Sequence, residues 1–290
     1  MATRKNRKHV HDHVAATNPN LSASEQKAVE ERSRLPPVMV YEIVREEGLR
    51  EVGRPVAALW WSGVAAGMTI GLSVLGEAIL TVHLPQTDWS PLVAKFGYTA
   101  GFLIVILSRH QLFTESTITP ILPLMVRRTW SFAYAVARLW LVVSLANLTG
   151  ALIFAVFWTL TDITDAETLS AMHELGRHTM ANDPVTMFIR AIGAGFLMAS
   201  LVWVLPSAKE AAFWAVVTVI YLIALADFVH IVSGGVEVLL LVVAGEVSVF
   251  DFLLAFGVPA FVGNVIGGTA LFSVIVYAEV RRELNVGDET

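Results

Sequence analysis

The chain has 290 residues, of which 55% are hydrophobic and 16% charged, with 20 Lys and Arg against 25 Asp and Glu. That is membrane composition, and no nucleic-acid partner is expected from it. There is no cysteine, which excludes disulfides.

Residues 1–36 are polar and read as a disordered cytoplasmic tail. Within them Ser22-x-x-Glu25 has the spacing of a helix cap. His9, His11 and His13 could suggest a metal, but a solvated tail is the plainer reading. The first apolar stretch follows this long charged lead, so no cleavable signal peptide is expected. Residues 37–52 place Val38, Val40, Tyr41, Ile43, Val44 and Leu49 at helical spacing, which predicts an amphipathic helix on the membrane surface.

Six apolar runs follow, at roughly 55–82, 92–126, 131–160, 185–206, 211–247 and 250–279. Trp60, Trp61, Trp89, Trp130 and Trp158 fall at their ends, where interfacial aromatics belong. Arg50, Arg54, Arg127, Arg128, Lys209, Arg281 and Arg282 all lie on one side of the resulting topology. Lys95 and Arg177 share the other side with Asp162, Asp165, Glu167, Glu174 and Asp183. The positive-inside rule then puts both termini in the cytoplasm, including a tail at 280–290.

The second and fifth runs are too long for one plain helix, and each is interrupted by polar residues. The interruptions are Arg109-His110-Gln111-Leu112-Phe113-Thr114-Glu115 and Asp227-Phe228-Val229-His230-Ile231-Val232-Ser233-Gly234-Gly235. Lipid cannot satisfy freed backbone groups, so breaks at that depth must face protein or a water-filled cavity. Each broken run is followed by a run containing Asn-x-x-Gly, at Asn147 to Gly150 and at Asn264 to Gly267. The order plain, broken, Asn-x-x-Gly therefore occurs twice, over 55–160 and 185–279. Three runs per half predict an inverted repeat. Gly63, Gly67 and Gly71 line the first run at four-residue spacing, which reads as tight helix contact.

Leu112-Phe113-Thr114, Phe228-x-His230 and the two Asn-x-x-Gly elements, in this six-run order, resemble the formate/nitrite transporter family over roughly residues 37–282. The branch it is most similar to has Gln-Leu-Phe-Thr-Glu in the first break and an Asp three residues before the His. The resemblance implies an all-α, aquaporin-like fold of six transmembrane helices, a homopentamer in the inner membrane, and one pore per protomer. It implies small monovalent anions or their weak acids as substrates. Carried across, Thr114 and His230 would meet at the pore centre. Leu112 and Phe113 would form one apolar constriction with Phe102, Phe228 and Ile223 would contribute to the other, and Asn147 and Asn264 would belong to the pore. Two departures stand out. Ala181-Asn182-Asp183-Pro184 has no vestibule Lys, and Gly195 is followed by Ala199 where many members have Asn.

Desolvation favours a neutral His230, whereas an arriving anion favours the imidazolium, so anion entry and proton uptake are expected to couple there. Arg109 and Asp227 occupy corresponding places ahead of the two breaks. A charge at that depth costs about 2.5–3.5 kcal/mol on insertion scales, which predicts either a structural pair or a role in tuning substrate charge. Glu115 and Glu237 are expected to cap half-helices or bond exposed amides. Arg190 reads equally as a snorkelling anchor or as a vestibule cation. No nucleophile–base set, metal cluster or nucleotide loop is evident, so neither an enzyme nor a cofactor is expected. A neutral-solute channel and a membrane scaffold working through its tail remain as alternatives.

Overall fold

The computed structural model describes Ser22, Ser24 and residues 35–286, the stretch 281–286 by backbone alone. The histidines of the tail, Glu25 of the proposed cap, and the side chains of Arg281 and Arg282 lie outside the described residues.

Every described element is helical. A lead-in helix, Pro37–Val52, begins where Pro36 is extended and Pro37 sets the first helical φ. It buries Val40, Tyr41 and Val44 as the sequence spacing requires. The first span is Val56–His83 and the third is Trp130–Leu160, whose Thr129 cap accepts the Phe132 amide. The fourth, Pro184–Val204, combines an Asp183 cap with Pro at its first turn. The Thr186 hydroxyl, then the Thr186 and Val185 amides, hold the Asp183 carboxyl below its usual range. The sixth span, Val249–Val280, includes two π-helical stretches, Phe252–Gly257 and Ile266–Ser273.

The second span is interrupted between Thr99–Leu107 and Ile121–Arg127, and the fifth between Ala212–Leu225 and Ser233–Val243. Five described helices are long and apolar enough to cross a bilayer. The fifth span escapes that count because its halves are short. One element was not expected: Ala166–Met180, a helix between the third and fourth spans, capped by Asp165. Its mean hydropathy is low, as an amphipathic surface helix requires, so no apolar run marks it in the sequence.

That helix extends the internal repeat. Gly48 of the lead-in helix packs against the Thr119 carbonyl, and Gly176 of the second surface helix packs against the Glu237 carbonyl. Further along, Gly67 meets the Asn147 carbonyl and Gly195 meets the Asn264 carbonyl. At all four glycines a Cβ would overlap backbone. Each half thus consists of a surface helix, a plain span, a broken span and an Asn-bearing span, held by the same contacts. Large apolar side chains such as Trp61, Trp130, Tyr134, Leu141 and Phe250 remain exposed around the outside, the surface expected against lipid or neighbouring protomers.

Candidate functional site

Each break starts with a left-handed residue. Arg109 has φ 57° and Asp227 has φ 49°. This conformation ends the preceding half-helix, after which the Phe113 and Ile231 amides turn toward the Asn-bearing spans. Asn147 donates to the Gly63 and Gln111 carbonyls at 2.8 and 2.9 Å and accepts the Phe113 amide at 2.9 Å. Asn264 repeats the pattern with the Ala191 and Val229 carbonyls at 2.8 and 2.9 Å and the Ile231 amide at 2.9 Å. One side chain thus satisfies three backbone groups that lipid could not. Both Asn residues are fully buried, and through these bonds they support the breaks.

The breaks meet at the centre. Thr114 Oγ1 lies 2.7 Å from His230 Nε2, with both residues buried. His230 Nδ1 accepts the Val232 and Ser233 amides at 3.2 and 3.3 Å. An acceptor Nδ1 puts the ring proton on Nε2, which therefore donates to the Thr114 hydroxyl. Phe102 stands edge-on to the imidazole at 4.9 Å between centroids. Leu112 and Phe113 are fully buried, and Phe113 stacks on Phe261 of the sixth span at 4.8 Å. The structure therefore places Phe102 beside His230 and gives Phe113 a different aromatic partner.

A cavity leads to His230 from one face, with Ile223 and Phe228 in its wall. Its rim is charged. Lys95 Nζ lies 3.2 Å from Asp227 and 3.6 Å from Glu77, and His178 is 3.7 Å from Asp227. Arg190 lines the same cavity and makes no ion pair among the described residues. Lys95 was not singled out from sequence. Its position at the start of the second span gave no sign that the side chain turns into a cavity.

The lead-in helix lies on the opposite side of the breaks, at the far end of a first span 28 residues or about 40 Å long. There Arg109 pairs with Glu47, and Arg54 donates to Gln111 at 2.8 Å. Thr119 donates to Glu51 at 2.5 Å, and burial pushes the Glu51 carboxyl up to about 7. The expected pairing of Arg109 with Asp227 is thus not found. The two residues are equivalent in the repeat, but Arg109 is taken up by Glu47, ahead of the first span, and Asp227 by Lys95 and His178 at the cavity rim. Glu237 is no helix cap either: it accepts from Thr179 at 2.5 Å, and neither half-helix after a break, Ile121–Arg127 or Ser233–Val243, has a side-chain cap. Among the described residues no His, Asp and Glu group is arranged for a metal.

Residues 38–278 match the family model described as formate/nitrite transporter. The inner membrane protein YfdC of Escherichia coli is 39% identical over 257 residues, 88% of this chain and 83% of that protein. The formate channel BtFdhC of Bacillus thuringiensis is 23% identical, over 85% of this chain and 96% of its own length. Among solved structures, a pentameric formate channel with formate bound superposes with TM-score 0.68 at 17% identity, covering 78% of this chain and 97% of that one. An ion channel described as FNT family gives 0.69 at 16% identity, covering 83% and 98%. The fold neighbours are channels rather than enzymes, and the match over nearly all the described residues settles the kinship: the chain belongs to the formate/nitrite transporter family.

Proposed function

We propose that the protein conducts small monovalent anions, or their conjugate weak acids, through a pore in each protomer centred on Thr114 and His230. The observation that carries this reading is the Thr114–His230 hydrogen bond, which joins the two helix breaks at the floor of a cavity open to one face. Lys95 and Arg190 provide positive charge on the way in, and Phe102, Phe228 and Ile223 supply the apolar surface that a hydrated ion crosses poorly. The basic residues favour both termini in the cytoplasm, which makes the Glu51 mouth cytoplasmic and the Glu237 mouth outer. The inner membrane and a homopentamer are the setting suggested by the relative named an inner membrane protein and by the pentameric formate channel.

The proton coupling expected of His230 is better placed elsewhere. Two backbone amides face Nδ1, so a proton there would confront two donors. In our reading His230 stays neutral and offers its Nε2 proton to Thr114 or to the substrate. The same geometry also suits a neutral-solute channel, so the experiment must separate the two. Proteoliposomes containing the protein, loaded with a pH dye, are challenged with formate, nitrite, hydrosulfide, acetate or lactate, and separately with glycerol or urea. Uptake of at least one anion well above empty liposomes is expected. Rapid glycerol or urea flux with no anion uptake would replace this reading by the neutral channel.

A further inference from the structure

Each mouth of the pore holds a carboxyl that the internal repeat places in matching surroundings. At the outer mouth, Glu237 on the half-helix after the second break accepts from Thr179 of the surface helix at 2.5 Å. At the other, Thr119 after the first break donates to Glu51 of the lead-in helix at 2.5 Å. The positions correspond, since Gly176 packs on the Glu237 carbonyl as Gly48 packs on the Thr119 carbonyl. Only the polarity is exchanged: the segment after the break supplies the acid in one case and the hydroxyl in the other. The same Thr–Glu bond is thus made at both sites with opposite assignment.

Glu237 is 8% exposed, and it lines the cavity whose floor is His230. Its single described bond engages Oε2. The charged and titratable groups around it are Glu77, Lys95, Asp227, Tyr98, His178 and Arg190. Lys95 is already shared by Glu77 and Asp227. Glu51 has Glu47, Arg54 and Glu115 as its charged neighbours, and Arg109, near Glu115, is held by Glu47.

Resting on the transport reading above, we propose that Glu237 and Glu51 are the proton-exchanging groups of the pore, one on each side of the breaks. At the outer mouth the anion takes the proton of the Glu237 carboxylic acid, leaving a Glu237 carboxylate that solvent reprotonates. The neutral acid passes His230 and the apolar segment. At the inner mouth it returns the proton to the Glu51 carboxylate, and the acid formed there releases it to the cytoplasm. No net charge crosses the narrow part.

The test uses the full-length protein in right-side-out vesicles, with labelled formate, which is almost wholly ionised between about pH 6 and 8. Free formic acid falls about tenfold per pH unit over that range. Wild-type uptake at fixed formate is expected to fall much less steeply, because Glu237 rather than bulk water delivers the proton. Glu237→Gln keeps an acceptor for Thr179, and should lower uptake at pH 7 at least about tenfold, with the remainder following free formic acid. Everted vesicles should give the same result with Glu51→Gln. A wild-type slope equal to that of free formic acid overturns the proposal without any variant, and so does a Glu237→Gln profile that matches wild type. Absence of all anion flux in wild type would instead overturn the transport reading itself.

Discussion

Replacing Asn264 with alanine is expected to collapse the second break and abolish flux. The side chain serves the Ala191 and Val229 carbonyls and the Ile231 amide. Neither lipid nor an apolar core can replace those bonds. Leaving a buried polar group unpaired costs about 1–3 kcal/mol, so three such groups predict a loss of about 3 kcal/mol or more. Asn147→Ala should do the same in the first break. Thermal unfolding followed by fluorescence-detected size exclusion measures the loss. A midpoint within a degree or two of wild type would mean that the breaks are held by something other than these residues.

Gly195→Val carries the second large effect. Any Cβ at this position runs into the Asn264 carbonyl and main chain, so even alanine forces the fourth and sixth spans apart. Overpacking of a tight interface costs about 1–3 kcal/mol, and here it also displaces the residue that holds the second break. Valine should therefore sharply reduce the yield of assembled protein and remove flux from what remains. Gly193→Ala is the control. Its added Cβ would meet the Phe228 ring, a side chain that can shift, so assembly should survive while flux changes through the cavity wall. Equal behaviour of the two variants would contradict the assignment of Gly195 to backbone contact.

The sequence made the transmembrane plan legible because its signals are local. Long apolar runs set the spans, the polar interruptions mark both breaks, and two Asn-x-x-Gly elements reveal the repeat. The Thr114–His230 contact is what the family resemblance implied, and the structure contains it. Partnerships between distant elements were not legible. Arg109 and Asp227 look like partners in one dimension because they occupy equivalent places, yet Glu47 and Lys95 take them up at separate mouths. The resemblance puts Asn147 and Asn264 in the pore, but it gives no hint of the three backbone groups that each one holds. Lys95 and the helix Ala166–Met180 were passed over because a residue's direction and a weakly apolar helix leave little trace in a hydropathy pattern. Thr179 and Glu237 form a bond whose counterpart becomes visible only after Gly48 and Gly176 are seen against equivalent carbonyls.

The central claim is that solutes pass the point where the breaks meet, and Thr114→Cys tests it most directly. The chain has no cysteine of its own, so this variant carries a single thiol, nearly isosteric with the residue it replaces. Anion flux in proteoliposomes is measured before and after mercuric chloride, a small neutral thiol reagent, with wild type alongside and excess thiol added at the end. The account predicts that mercury blocks the variant, that thiol restores it, and that wild type is indifferent. Undiminished flux with mercury on the cysteine by mass spectrometry, or a cysteine that mercury never reaches, would contradict a pore through Thr114 and His230.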